Sequence, residues 1–79
     1  MKPAEVQDMA DVCKMLSEPT RLSIVAILVG GAKPVMALCD ALKIAQPTIS
    51  HHLALLRISR VVNRKRKGKQ MIYSLNKRN

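Results

Sequence analysis

The sequence predicts a mainly α domain that closes with a small β-hairpin: about four helices followed by a two-stranded wing. Three observations predict it. Apolar residues recur at helical spacing through most of the chain up to Arg57, punctuated by Pro19, Gly30-Gly31, Pro34 and Pro47. After Arg57 the period changes, and "VVNRKRKGKQMIYSL" sets β-branched residues near its ends around a charged tip with Gly68 in the turn. With 79 residues there is room for one domain, residues 1–79, whose small core makes help from a partner subunit plausible.

Each element has a local reason. Val6, Met9, Ala10, Cys13 and Leu16 form one face of a first helix, with Gln7, Asp8, Asp11 and Lys14 on the other. "SEP" breaks it, and Ser17 or Glu18 precedes a second helix that carries Pro19 in its first turn, where a missing N–H costs nothing. Leu22, Ile24, Val25, Ile27, Leu28 and Val29 make that helix apolar nearly all round, so it is expected at the centre of the core. Gly30-Gly31 ends it, because glycine takes the left-handed cap without strain. "AKPVM" is a short extended link, since the residue before a proline avoids helix. Met36 to Leu42 gives two turns, with Leu38, Cys39 and Leu42 inward, and "KIAQ" is the following turn.

On the fourth helix Ile49, Leu53 and Leu56 share one face. At about 100° per residue His51 falls nearly opposite them, flanked by Pro47 and Thr48, with Ser50 to one side and His52 at the border of the buried face. The hairpin then runs over residues 61–66 and 69–75.

Charge separates the halves. Fourteen Lys and Arg against five Asp and Glu give +9, and every acid lies at or before Asp40. Five of the six residues from Arg64 to Lys69 are basic. Solubility needs no such division, whereas a face for a polyanion does. A solvated hairpin tip is the plainer reading of that run; the lack of any acid beside it favours phosphate contact. Tyr73 is the one aromatic residue, which disfavours single-stranded nucleic acid, where bases stack on rows of aromatic rings. No segment reads as a signal peptide or a membrane span, and two cysteines make no disulfide framework, so a reducing cytoplasmic setting is expected.

Two short helices joined by a tight turn, the second with small polar groups near its start, follow helix-turn-helix logic: the second helix enters the major groove of double-stranded DNA. Thr48 and Ser50 permit close approach, Gln46 can bond adenine N6 and N7, and the basic hairpin lies along phosphates. An enzyme is not expected, because no nucleophile has a base and no glycine-rich phosphate loop is present.

"LSEPTRLSIVAIL", "LCDAL", "QPTISHHLALLR" and "GKQMIYSL", in that order, resemble the ArsR/SmtB winged-helix repressors of bacteria and archaea over Val12 to Leu75. The resemblance implies a homodimeric repressor that binds a DNA operator and leaves it when an inducer, often a metal ion, binds. Carried over, Gln46, Thr48, Ser50 and His51 read bases, while Arg64, Lys65, Arg66, Lys67 and Lys69 form the wing. The chain departs from the family pattern in three places. Where metal-sensing members have "CVCD", this chain has "ALCD", so Ala37 replaces one thiol and Cys39 remains as a weak metal candidate beside Asp40. The sequence stops at Asn79 without the C-terminal helix that carries ligands and dimer contacts in other members, and Arg60 stands where relatives usually have glycine.

Other roles stay bland. His51 and His52 diverge by about 100° and share an ion poorly, and His52 is expected to pack at the helix edge. Cys13 is expected in the core; Cys39 is read as core, metal ligand or redox partner. No cofactor is expected. The competing function is a winged-helix module that binds protein, or binds DNA architecturally, without a switch.

Overall fold

In the computed structural model, which describes residues 2–76, helices α1 (Pro3–Leu16) and α2 (Pro19–Val29) come first. Strand β1 (Lys33–Pro34), helices α3 (Val35–Leu42) and α4 (Gln46–Ile58), and strands β2 (Val62–Lys67) and β3 (Gln70–Leu75) follow. This is a winged helix-turn-helix. The hairpin of β2 and β3 is joined by β1, which pairs antiparallel with β3 through Lys33 opposite Tyr73 and Pro34 opposite Ile72. The extended link therefore adds a third strand to the expected two, on an edge where a proline is tolerated. Each hairpin strand begins one residue later than expected.

The core is small and built around α4. Ile49, Leu53 and Leu56 are fully buried against Ile24, Leu28, Leu38, Val62 and Tyr73, with Cys39 nearly so. Among the described residues no helix is long and apolar enough to cross a membrane.

Two expectations about the core are corrected. The stripe on α1 is open: no α1 residue is buried, Val6 and Met9 are about half exposed, and Cys13 is exposed rather than in the core. The physical reason is orientation, since α1 turns Met15 and Leu16 toward the domain and the Val6–Cys13 face away from it. The second helix is core on one side only. Ile24 and Leu28 are buried, whereas Leu22 is 51% and Val29 72% exposed.

The helix ends are made tightly, and not by glycine alone. Gly30 remains right-handed, and Gly31 takes the positive φ of +128° that releases the chain from α2. The turn between α3 and α4 instead uses Lys43, at φ 57°, with the Ile44 N–H reaching back to the Cys39 carbonyl. After α4, Arg60 sits at φ 61°. Its N–H bonds the Arg57 carbonyl at 3.0 Å, and the Val61 N–H bonds the Leu56 carbonyl at 2.9 Å, the paired bonds of a Schellman cap. The Asn76 side chain donates to the Arg60 carbonyl at 2.9 Å and holds this corner to the end of β3. Arginine thus occupies a left-handed conformation that glycine adopts without strain, and the cap bonds still close.

A left-handed non-glycine residue costs about 1–2 kcal/mol. Arg60→Gly should therefore raise unfolding stability by about 0.5–1 kcal/mol after the added freedom of glycine in the unfolded chain is deducted. Urea denaturation of the two proteins at neutral pH measures it.

Candidate nucleic-acid interface

Helix α4 presents two faces with opposite chemistry. Its buried face is Ile49, Leu53 and Leu56; Gln46, Thr48, Ser50 and His51 are all exposed on the rest of its N-terminal half. The helix starts at Ala45 with no side-chain cap, and Pro47 supplies a residue that needs no acceptor for its nitrogen. The amide end of the helix is therefore not covered by a capping side chain, and it points where a negative charge is favoured.

The wing carries its charge on both faces. Register sets Arg64 opposite Tyr73 and Arg66 opposite Met71 on the core-side face, with Lys65 opposite Ile72 and Lys67 opposite Gln70 on the other. Arg64, Lys65, Arg66, Lys67 and Lys69 are all exposed. Arg66 Nε donates to the Gly68 carbonyl at 3.2 Å, so part of its donor capacity closes the hairpin turn, where Gly68 takes φ 63°. Gln46 at the start of α4 lines the same shallow depression as Lys69 and Gln70 at the wing turn. The helix and the wing thereby meet on one side of the molecule.

His51 and His52 divide as their positions on the wheel imply. His51 is exposed. The His52 side chain is 14% exposed and lies against the start of α2, its Nδ1 3.3 Å from Arg21 Nη1 and 3.7 Å from Glu18 Oε2. The rings of the two histidines meet edge to face, 5.8 Å between centroids. Arg21 also donates from Nε to the Met15 carbonyl at 2.8 Å, which ties the end of α1 into the same cluster.

Glu18 caps α2, its Oε2 accepting the Arg21 N–H at 2.9 Å. That bond, supported by the Thr20 N–H and by the charges of His52 and Arg21, holds the Glu18 carboxyl below its ordinary 4.5 against an opposing effect of desolvation. Arg21 is not among the residues that the sequence singles out. Its bond to Glu18 spans three residues and is legible in "EPTR"; its contact with His52 joins positions 31 apart and is not.

Cys39 is buried in the core cluster. Among the described residues no three His, Cys, Asp or Glu side chains gather to hold a metal ion.

A family model described as bacterial regulatory protein, arsR family, matches residues 18–64. The chain belongs to the ArsR family. Its ArsR-type relatives include the transcriptional repressor SdpR of Bacillus subtilis, 40% identical over 68 residues, which cover 86% of this chain and 76% of SdpR. The repressor SmtB of Mycobacterium tuberculosis is 36% identical over 74 residues, 92% of this chain but 55% of SmtB. Among solved structures, the homodimeric winged helix-turn-helix DNA-binding domain Mb0332 of Mycobacterium bovis superposes with a TM-score of 0.85 at 28% identity, covering 94% of this chain and 68% of that one. The ArsR match ends at residue 64, so it spans the helix-turn-helix and only the first residues of the wing.

The Glu18 cap gives a pH prediction. Its carboxyl is lowered on folding, so the stability it adds is full above the ordinary value of 4.5 and is lost as pH falls through the depressed one. Glu18→Gln should be less stable than the parent protein at pH 7, and the difference should shrink as pH falls below 4.5. Urea midpoints measured across that range test the sign.

Proposed function

We propose that this chain is a homodimeric transcriptional repressor that reads a double-stranded DNA operator with the exposed N-terminal face of α4 and grips phosphates with its wing. One observation carries the reading. The face of α4 opposite Ile49, Leu53 and Leu56 stands clear of the domain beside a hairpin whose exposed charges are all positive. Gln46, Thr48, Ser50 and His51 are the base-reading candidates, and Arg64, Lys65, Lys67 and Lys69 the phosphate contacts, with Arg66 shared between the backbone of the turn and the DNA. Residues 1–79 act as one DNA-binding domain in this reading, which places the protein in the cytoplasm with the chromosome.

The dimer is supported by the apolar surface that a single chain leaves bare. Val6 and Met9 on α1, together with exposed Cys13, form a stripe that a second α1 across a two-fold axis would cover. Mb0332 is a homodimer of the same architecture. No metal site is proposed, since Cys39 stands among apolar side chains with no second thiol beside it in the sequence.

Two predictions follow from these roles. Replacing Thr48, Ser50 or His51 by Ala should cost about 1–3 kcal/mol on a preferred duplex and much less on unrelated DNA. Replacing Arg64, Lys65 or Lys67 should weaken binding to all duplexes alike and flatten the slope of log affinity against log salt by about one unit per residue. Salt series on a duplex selected from a random pool and on random DNA measure both. Binding that depends on salt and ignores sequence would instead favour an architectural module. A further prediction concerns assembly: the protein should sediment as a dimer at tens of micromolar, and Met9→Glu should convert it to monomer.

A further inference from the structure

We propose that His52 is a two-position latch that makes operator affinity depend on pH, resting between Arg21 when neutral and Glu18 when protonated. The inference rests on α4 being the DNA-reading helix.

The geometry sets both partners beside one ring nitrogen. His52 Nδ1 is 3.3 Å from Arg21 Nη1 and 3.7 Å from Glu18 Oε2. A guanidinium only donates, so the Arg21 contact is a hydrogen bond when the neutral ring leaves Nδ1 bare and carries its proton on Nε2. When Nδ1 takes a proton from solvent, the contact becomes a donor facing a donor and two cations at close range. The Glu18 carboxylate then becomes the partner. Two charged groups face His52, Arg21 and Glu18, both from the start of α2; on its own helix it touches His51. Glu18 remains ionised through the range in which imidazoles titrate, roughly pH 5–8, because its carboxyl is held below the ordinary value.

Each state has a consequence at the reading face. Apart from His52, the Arg21 guanidinium is anchored by its Nε bond to the Met15 carbonyl, while the Arg21 backbone N–H is held by the Glu18 cap. Neutral His52 is therefore docked on an anchored guanidinium, and α4 with it. Protonation withdraws that bond and turns the ring toward Glu18. The His52 ring stacks edge to face on His51, so the turn shifts the side chain assigned to base edges. Acidification should accordingly weaken sequence-specific binding. Protonation of His51 itself adds a positive charge near DNA, but it does so whether or not the latch is present.

His52→Asn isolates the latch. The Asn side-chain oxygen can accept from Arg21 where Nδ1 does, and it takes no proton at these pH values. A duplex selected by the parent protein from a random pool at pH 7.5 is the probe. Between pH 7.5 and 5.5 the parent protein should lose about fivefold or more of its affinity relative to His52→Asn, a typical size for coupling between two sites. Superimposable pH profiles for the two proteins would overturn the proposal. A second measurement needs neither a variant nor DNA. Two-bond proton–nitrogen correlation of the imidazoles should find neutral His52 protonated at Nε2, and a ring protonated at Nδ1 would overturn the latch. If the parent protein selects no duplex at pH 7.5, the DNA reading fails, and the tautomer decides the latch alone.

Discussion

The burial of Ile49, Leu53 and Leu56 is the constraint on which the rest of the molecule depends. These three side chains are fully enclosed, and each such burial is worth about 2 kcal/mol. In so small a core they also fix rotation. Turning α4 by one residue's angle would expose an isoleucine or leucine and drive a serine or histidine inward without a partner. The same packing that holds the helix therefore decides which side chains it shows. Gln46, Thr48, Ser50 and His51 need no device of their own to be presented, since they are what remains when the apolar face is satisfied.

Tight ends keep that packing in place at some cost. Lys43 and Arg60 both take left-handed backbones, one before α4 and one after it, and both positions are followed by an apolar residue that folds back onto the core cluster, Ile44 and Val61. The caps close through backbone bonds to Cys39 and Leu56, which are themselves buried. Strain at two exposed cations is offset by burying the residues next to them. The second of these corners also aims the wing: β2 begins two residues after Arg60, and Asn76 links its carbonyl to the far end of β3. A looser exit from α4 would let the charged hairpin swing away from the helix it is set beside.

Periodicity made most of this legible. The four helices, the inward face of α4 and the hairpin follow from residue spacing, because period and burial are two expressions of one geometry. The exposure of the base-reading candidates was legible for the same reason, as the complement of the core. What spacing does not reveal is whose surface covers a given stripe. Val6, Met9 and Cys13 read as a face to be buried, and within one chain they are bare. Strand β1 was missed because two residues cannot display a period, and its proline argues against pairing until an edge is available. The meeting of Arg21 with His52 depends on two helices crossing at one point, which no local pattern encodes.

That crossing is where the two halves of the chain's chemistry touch. The end of α1 meets Arg21 through the Met15 carbonyl, and α4 meets it through His52. Within this cluster the polar links run from the Met15 carbonyl to Arg21 and from Arg21 to His52. Apolar packing around them is continuous but non-directional, and it tolerates small rotations that a hydrogen bond does not. A partner that fixed α1 by covering Val6 and Met9 would therefore also fix the carbonyl that orients the guanidinium. The guanidinium in turn orients the ring beneath His51. The residues proposed for assembly and those proposed for reading lie about 40 positions apart in the sequence; Arg21 links their two helices in the fold.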